Sequence, residues 1–127
     1  EFRHDSWAND KVFSELERRK VTLVSVDEPD LPNLFPRLDV VTNPDLFYVR
    51  FHGRNSRGWR SGNMQKQFDY DYAQWELAQW AATIKTAMMT QAATGGIFFN
   101  NHVRGQAPKN ALRLIDLLFK DYHLQKT

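Results

Sequence analysis

The stretch Leu46-Phe47-Tyr48-Val49-Arg50-Phe51-His52 alternates side-chain character with a period of two, and an extended strand is the backbone that sorts such a series onto two opposite faces. Phe47, Val49 and Phe51 share one face, which calls for a cover of helices. Tyr48, Arg50 and His52 share the other. A second run, Val21 to Asp27, is β-branched and apolar nearly throughout and stops at Asp27-Glu28-Pro29, as expected of a strand buried on both sides in a parallel sheet. A third short strand, Ile97-Phe98-Phe99-Asn100, follows Gly95-Gly96.

Helical spacing fills the gaps. From Asn9 to Lys20, Val12, Phe13 and Leu16 recur at helical intervals, with Asn9 and Asp10 at the start and Arg18-Arg19-Lys20 at the end. Between Tyr72 and about Ala92, Leu77, Trp80, Ala81, Ile84 and Met88 form one apolar stripe, and Gly95-Gly96 is read as its stop. Pro108 suits a first helical residue, with Ala111, Leu112, Ile115 and Leu118 expected on the buried face and the tail Gln125-Lys126-Thr127 expected to fray. Asp30 to Asp45 is a proline-rich surface loop, and Gly53, Gly58 and Gly62 punctuate another. Strands alternating with helices predict an α/β fold with parallel strands and outer helices.

Composition bounds the partners. The 127 residues carry 17 Lys and Arg against 15 Asp and Glu, a net charge of +2, so any anion site must be local. The absence of cysteine excludes disulfides and thiolate chemistry and agrees with a reducing, cytoplasmic setting. No apolar run has the length of about 20 residues that spans a bilayer, so no membrane partner is expected. The opening Glu1-Phe2-Arg3-His4-Asp5-Ser6-Trp7 has strand-end and turn character and reads as a chain entered in mid-fold.

Strand parity places Glu1 and Arg3 opposite Phe2, Ser25 and Asp27 opposite Val24 and Val26, and Asn100 opposite Phe99. Charges at successive strand ends must pair, hydrogen-bond or face water. A shared polar pocket satisfies all of them, and in α/β barrels that rim is where ligand sites are built. An ion-pair plug of Glu1, Arg3, Asp27 and Arg50 that merely closes the barrel top is the alternative.

Several strings carry a family resemblance: Glu1-Phe2-Arg3-His4-Asp5-Ser6-Trp7, Asp27-Glu28-Pro29, Tyr48-Val49-Arg50-Phe51-His52-Gly53-Arg54-Asn55, Phe68-Asp69-Tyr70-Asp71-Tyr72 and Phe98-Phe99-Asn100-Asn101-His102. Together they resemble the YecE-like family, also called domain of unknown function seventy-two. The resemblance implies a TIM-like (β/α) barrel of about 250 residues, of which residues 1–127 look like the C-terminal half as a single domain, the N-terminal half being absent. It implies no settled reaction; a likeness to metal-dependent apurinic endonuclease barrels rests on fold analogy. Two departures stand out: Ala73-Gln74-Trp75-Glu76 replaces a Ser or Thr cap with two acids, and Thr94-Gly95-Gly96 replaces a longer apolar lead-in.

The site expected from these residues has Asp27, Arg50 and His52 as its catalytic members, with Glu1, Arg3, Arg54, Trp59, Asn100, Asn101, His102 and Arg104 around a substrate. The basic segment from Arg50 through Arg54, Arg57 and Arg60 to Lys66 suits phosphates, with Trp59 stacking on a base; a solvated basic loop is the plain alternative. The start of the last helix after His102-Val103-Arg104 suits an anion, unless Asn100 and Asn101 only tie down loop backbone. Glu1, Asp27, His52 and His102 are conceivable divalent-metal ligands, though their spacing matches no metal motif. The expected chemistry is hydrolysis of a phosphate ester on a small molecule or nucleic acid, against a non-catalytic binding barrel. A half-barrel with open sheet edges is also expected to self-associate.

Overall fold

The computed structural model describes the backbone of residues 1–124 and side chains through Lys120; the expected fraying of the last three residues falls outside it. Three parallel strands, β1 (Val24–Asp27), β2 (Leu46–Phe51) and β3 (Thr94–Phe99), form one sheet in the order β1-β2-β3. Four helices accompany them: α1 (Asp10–Arg19), α2 (Met64–Gln67), α3 (Gln74–Thr83) and α4 (Gln106–Leu124). The fold is thus a parallel β/α arrangement with surrounding helices. No helix among the described residues is long and apolar enough to cross a membrane.

The period-two reading of β2 holds. Phe47, Val49 and Phe51 are buried and pack with Leu77, Trp80, Ala81 and Ile84 of the α3 segment and with Leu114 and Leu118 of α4. A second cluster joins Leu23, Val26 and Phe35, with Phe2, Phe13 and Leu16 packed against it. Helix α1 begins where Asn9 caps it, its side chain accepting the Val12 amide, and stops at Lys20 in the left-handed conformation.

Several element boundaries differ from expectation for physical reasons. Strand β1 is only four residues long because Thr42 bonds its approach, accepting from the Leu23 amide at 2.8 Å and donating to the Val21 carbonyl at 2.7 Å. Gly95 and Gly96 lie inside β3 rather than stopping the preceding helix. A Cβ on Gly95 would stand 2.1 Å from the Phe47 ring, so the glycine makes room for that ring across the sheet. Helix α3 passes at Ile84 into a π-turn that runs to Met88.

Helix α4 begins at Gln106, so Pro108 lies within its first turn rather than at its first position, and its buried stripe is Asn110, Leu114 and Leu118. Leu112 and Ile115, expected inside, are 65% and 47% exposed. The helix carries two apolar stripes, and spacing alone does not say which one meets the sheet.

Candidate functional site

In a parallel ladder, partnered residues point to the same side of the sheet. Val26 is level with Arg50, and Arg50 with Phe98, whereas Asp27 is level with Phe51, and Phe51 with Phe99. Asp27 therefore lies on the helix-covered side, and Arg50 on the other. The ladders run on through His52 N–H to the Asp27 carbonyl (2.8 Å) and Asn100 N–H to the Phe51 carbonyl (2.7 Å). One step further along the Arg50 face, the same parity sets Glu28, His52 and Asn100 in a row at the carboxyl edge.

Around that row five of the expected residues meet. Arg50 donates to Glu1 at 2.5 Å, and Arg3 pairs with the other Glu1 oxygen at 2.8 Å. The His52 Nε2 lies 3.0 Å from Glu1 and its Nδ1 3.2 Å from the Asn100 amide nitrogen. With that nitrogen donating to Nδ1, the neutral ring carries its proton on Nε2 and donates it to Glu1.

Burial decides who can touch a ligand. His52 has no exposed surface, while the Arg3 and Arg50 side chains are 54% and 29% exposed. His52 thus orients Glu1, and the two guanidiniums face outward. Burial and the neighbouring Arg3 push the His52 ring down to about 4, so it is neutral at physiological pH. Burial raises the Glu1 carboxyl, but the Arg50 hydrogen bond and the charges of Arg3, His52 and Arg50 outweigh it and hold the group below its ordinary value.

Glu28, which sequence reasoning passed over, is the other acid of this edge. It is 2% exposed, neither carboxyl oxygen accepts a hydrogen bond, and the nearest cation is Arg3 at 3.6 Å. Burial pushes its carboxyl up to about 7. Its signal was available: parity from Val24 and Val26 puts Glu28, not Asp27, on the Arg50 side once the register is known.

The remaining expected site residues are engaged elsewhere. Asp27 is fully buried and accepts from Arg54 (2.8 and 2.6 Å), the Tyr72 hydroxyl (2.7 Å) and the Trp80 indole (2.6 Å). Arg54 also donates to Glu76 at 2.9 Å, which accepts from the Tyr70 hydroxyl and the Ala73 amide. That last bond is how α3 manages without a Ser or Thr cap. Asp27 and Arg54 thus form a saturated network tying β1, the loop after β2 and α3 together, on the side away from Arg50.

Trp59 is buried, its ring edge-on to Phe68 at 6.1 Å and to His52 at 6.4 Å, so it walls the site and offers no open face to a base. Asn101 is buried and binds the Tyr70 carbonyl and Asn110. His102 contacts the Asn100 carbonyl and packs on Phe68. Arg104 pairs with Asp69, Gln106 donates to the same carboxylate, and Lys109 pairs with Asp71. The chain's own acids thus occupy the helix start where an external anion was expected. Among the described residues, no group of three or more His, Asp or Glu side chains is arranged to hold a metal ion; Glu1 and Asp27 lie on opposite sides of the sheet.

Comparison with known proteins places the chain. A family model described as "Protein of unknown function DUF72" matches residues 1–127. The chain is 29% identical over 132 residues to the UPF0759 protein YunF of Bacillus subtilis (strain 168), covering 96% of this chain and 46% of that protein. A DUF72 family crystal structure from Thermotoga maritima MSB8 superposes with a TM-score of 0.86 at 37% identity, over 93% of this chain and 44% of that one. One from Enterococcus faecalis V583 gives 0.82 at 34% identity, over 92% and 45%. The chain spans less than half the length of each of these relatives. With the whole of its length matched by the family model, the chain belongs to the DUF72 family, whose function is unknown.

Proposed function

We propose that the carboxyl edge of the sheet, on the Arg50 face, is a ligand site for a phosphate-containing compound, on the rim of a TIM-like barrel to which these residues contribute part of the wall. The carrying observation is the pair of outward guanidiniums, Arg3 and Arg50, held by one carboxylate, Glu1. With Glu28 protonated, as burial favours, two positive charges against one negative leave a positive charge free for an anion, and guanidiniums bind phosphate oxygens in a directed fork. Ligand sites in α/β sheets lie outside the carboxyl ends of the strands.

The reaction this arrangement suits is hydrolysis of a phosphate ester, with Arg50 and Arg3 neutralising the developing charge and Glu1 available to orient water. A panel of phosphomonoester, phosphodiester and glycoside substrates, run with and without divalent metal, tests it. Turnover of a phosphate ester that falls about 100-fold in Arg50→Met supports hydrolysis; turnover unchanged in that variant discards it. A non-catalytic binding barrel is the second reading. It is favoured by the saturated Asp27–Arg54–Glu76 network, which leaves those residues no free valence for chemistry. That reading predicts saturable binding of phosphate compounds with no turnover of any.

A further inference from the structure

Arg3 spans two acids. One of its terminal nitrogens lies 2.8 Å from Glu1 and the other 3.6 Å from Glu28, and only the second of these acids is almost wholly buried. Among the described residues, the buried side-chain oxygens that accept no hydrogen bond belong to Glu28 and Asn101. Glu28 also lines a cleft of about 260 Å³ with Asp30, Leu34, Phe35 and Arg37. We propose that the carboxyl edge beside Glu28, outside that cleft, is a proton-linked site for singly charged oxyanions, in which Glu28 takes up a proton as the anion settles on Arg3 and Arg50; this rests on the Arg50 face being a phosphate-ligand site.

Charge counting fixes the direction of the coupling. With Glu28 ionised, Arg3 and Arg50 are matched by Glu1 and Glu28, and an arriving anion finds no net charge. With Glu28 neutral, one positive charge remains for one negative. An oxyanion that draws the Arg3 guanidinium outward also takes from Glu28 its nearest cation and sets a second negative charge beside it. Both effects favour the acid form, so anion binding and proton uptake reinforce each other, by the same factor in each direction. A dianion brings more charge than the site can neutralise, so the preferred ligand is a monoanion such as a phosphodiester.

The surroundings put the coupling in the neutral range. Burial raises the Glu28 carboxyl to about 7; the charge of Arg3 pulls it down, while Glu1 and Asp27 push it up. Arg37 of the proline-rich connection donates to the Glu28 backbone carbonyl at 3.1 Å. His52, neutral down to about pH 4, does not titrate alongside it.

The test uses dimethyl phosphate, which stays monoanionic throughout, with ¹³C-labelled glutamate followed by NMR at constant salt. One carboxyl should titrate near neutrality in the free protein, be missing in Glu28→Gln, and move to higher pH with dimethyl phosphate. Affinity should fall about fivefold between about pH 6 and about pH 8 and stay at its acidic level in Glu28→Gln. Constant affinity in the wild type, pH dependence that survives in Glu28→Gln, or a Glu28 that titrates with ordinary carboxyls would overturn the linkage while leaving the anion site standing. No saturable binding by either protein, at any pH, would overturn the site and the linkage together.

Discussion

Asp27 accepts four hydrogen bonds of 2.6 to 2.8 Å from Arg54, Tyr72 and Trp80 with no access to water. Removing the charge leaves the Arg54 guanidinium half-paired in the interior, so Asp27→Asn should lose about 3 kcal/mol in urea denaturation. Arg104→Met, which breaks only an exposed pair with Asp69, should lose less than about 1 kcal/mol. Glu28 behaves in the opposite sense. Its folded carboxyl is raised to about 7 from 4.5, so its contribution to stability is complete below the unfolded value and is lost as pH climbs through the folded one. Glu28→Gln, neutral throughout, should therefore gain on the parent protein between about pH 5 and about pH 8, approaching 3 kcal/mol, roughly. Urea midpoints of the two proteins across that range measure it. The sequence showed Arg50 and His52 on a common side, because alternation within one strand is local, while the place of Asn100 beside them needs the register of β2 and β3. It could not show that Asp27 is level with Phe51 rather than with Arg50, since one residue of register slip exchanges the faces of a whole strand.

At the scale of elements, sheet packing overrides local turn signals. Gly95-Gly96 has the composition of a helix stop, yet the two residues belong to β3 because the Phe47 ring occupies the space a side chain would need. Gly95→Ala should cost about 1–3 kcal/mol through displacement of that ring, measured as a fall in thermal midpoint. Substituting Gly62, where nothing lies within 4 Å of an added Cβ, tests only its left-handed backbone. Helix α1 was legible from one apolar stripe and the Asn9 cap; α3 was legible from its apolar stripe alone, since its start, which lacks a Ser or Thr cap, is held by Glu76 reaching back to the Ala73 amide. Helix α4 was legible as a helix but not in its rotation. Asn110, which binds Tyr72, Asp71 and Asn101, turns Leu114 and Leu118 inward and leaves Leu112 and Ile115 outside.

For the whole molecule, β1 and β3 each lack a second neighbouring strand among the described residues. Phe98, stacked on Tyr48, is 51% exposed on the Arg50 face, and Leu112 and Ile115 add an apolar stripe on α4. Open edges and uncovered apolar faces recruit other chains. Light scattering of the isolated 127-residue chain should therefore show association that rises with concentration, and a stable monomer at high concentration would contradict it. The two ends of the sheet's carboxyl edge compete for the role of anion site, and one comparison separates them. Dimethyl phosphate binding, measured by titration calorimetry on the parent protein, Arg50→Met and Arg104→Met, should be lost in Arg50→Met and unchanged in Arg104→Met. Binding that survives in Arg50→Met and disappears in Arg104→Met would move the site to the last loop and contradict an anion site built on Arg3 and Arg50.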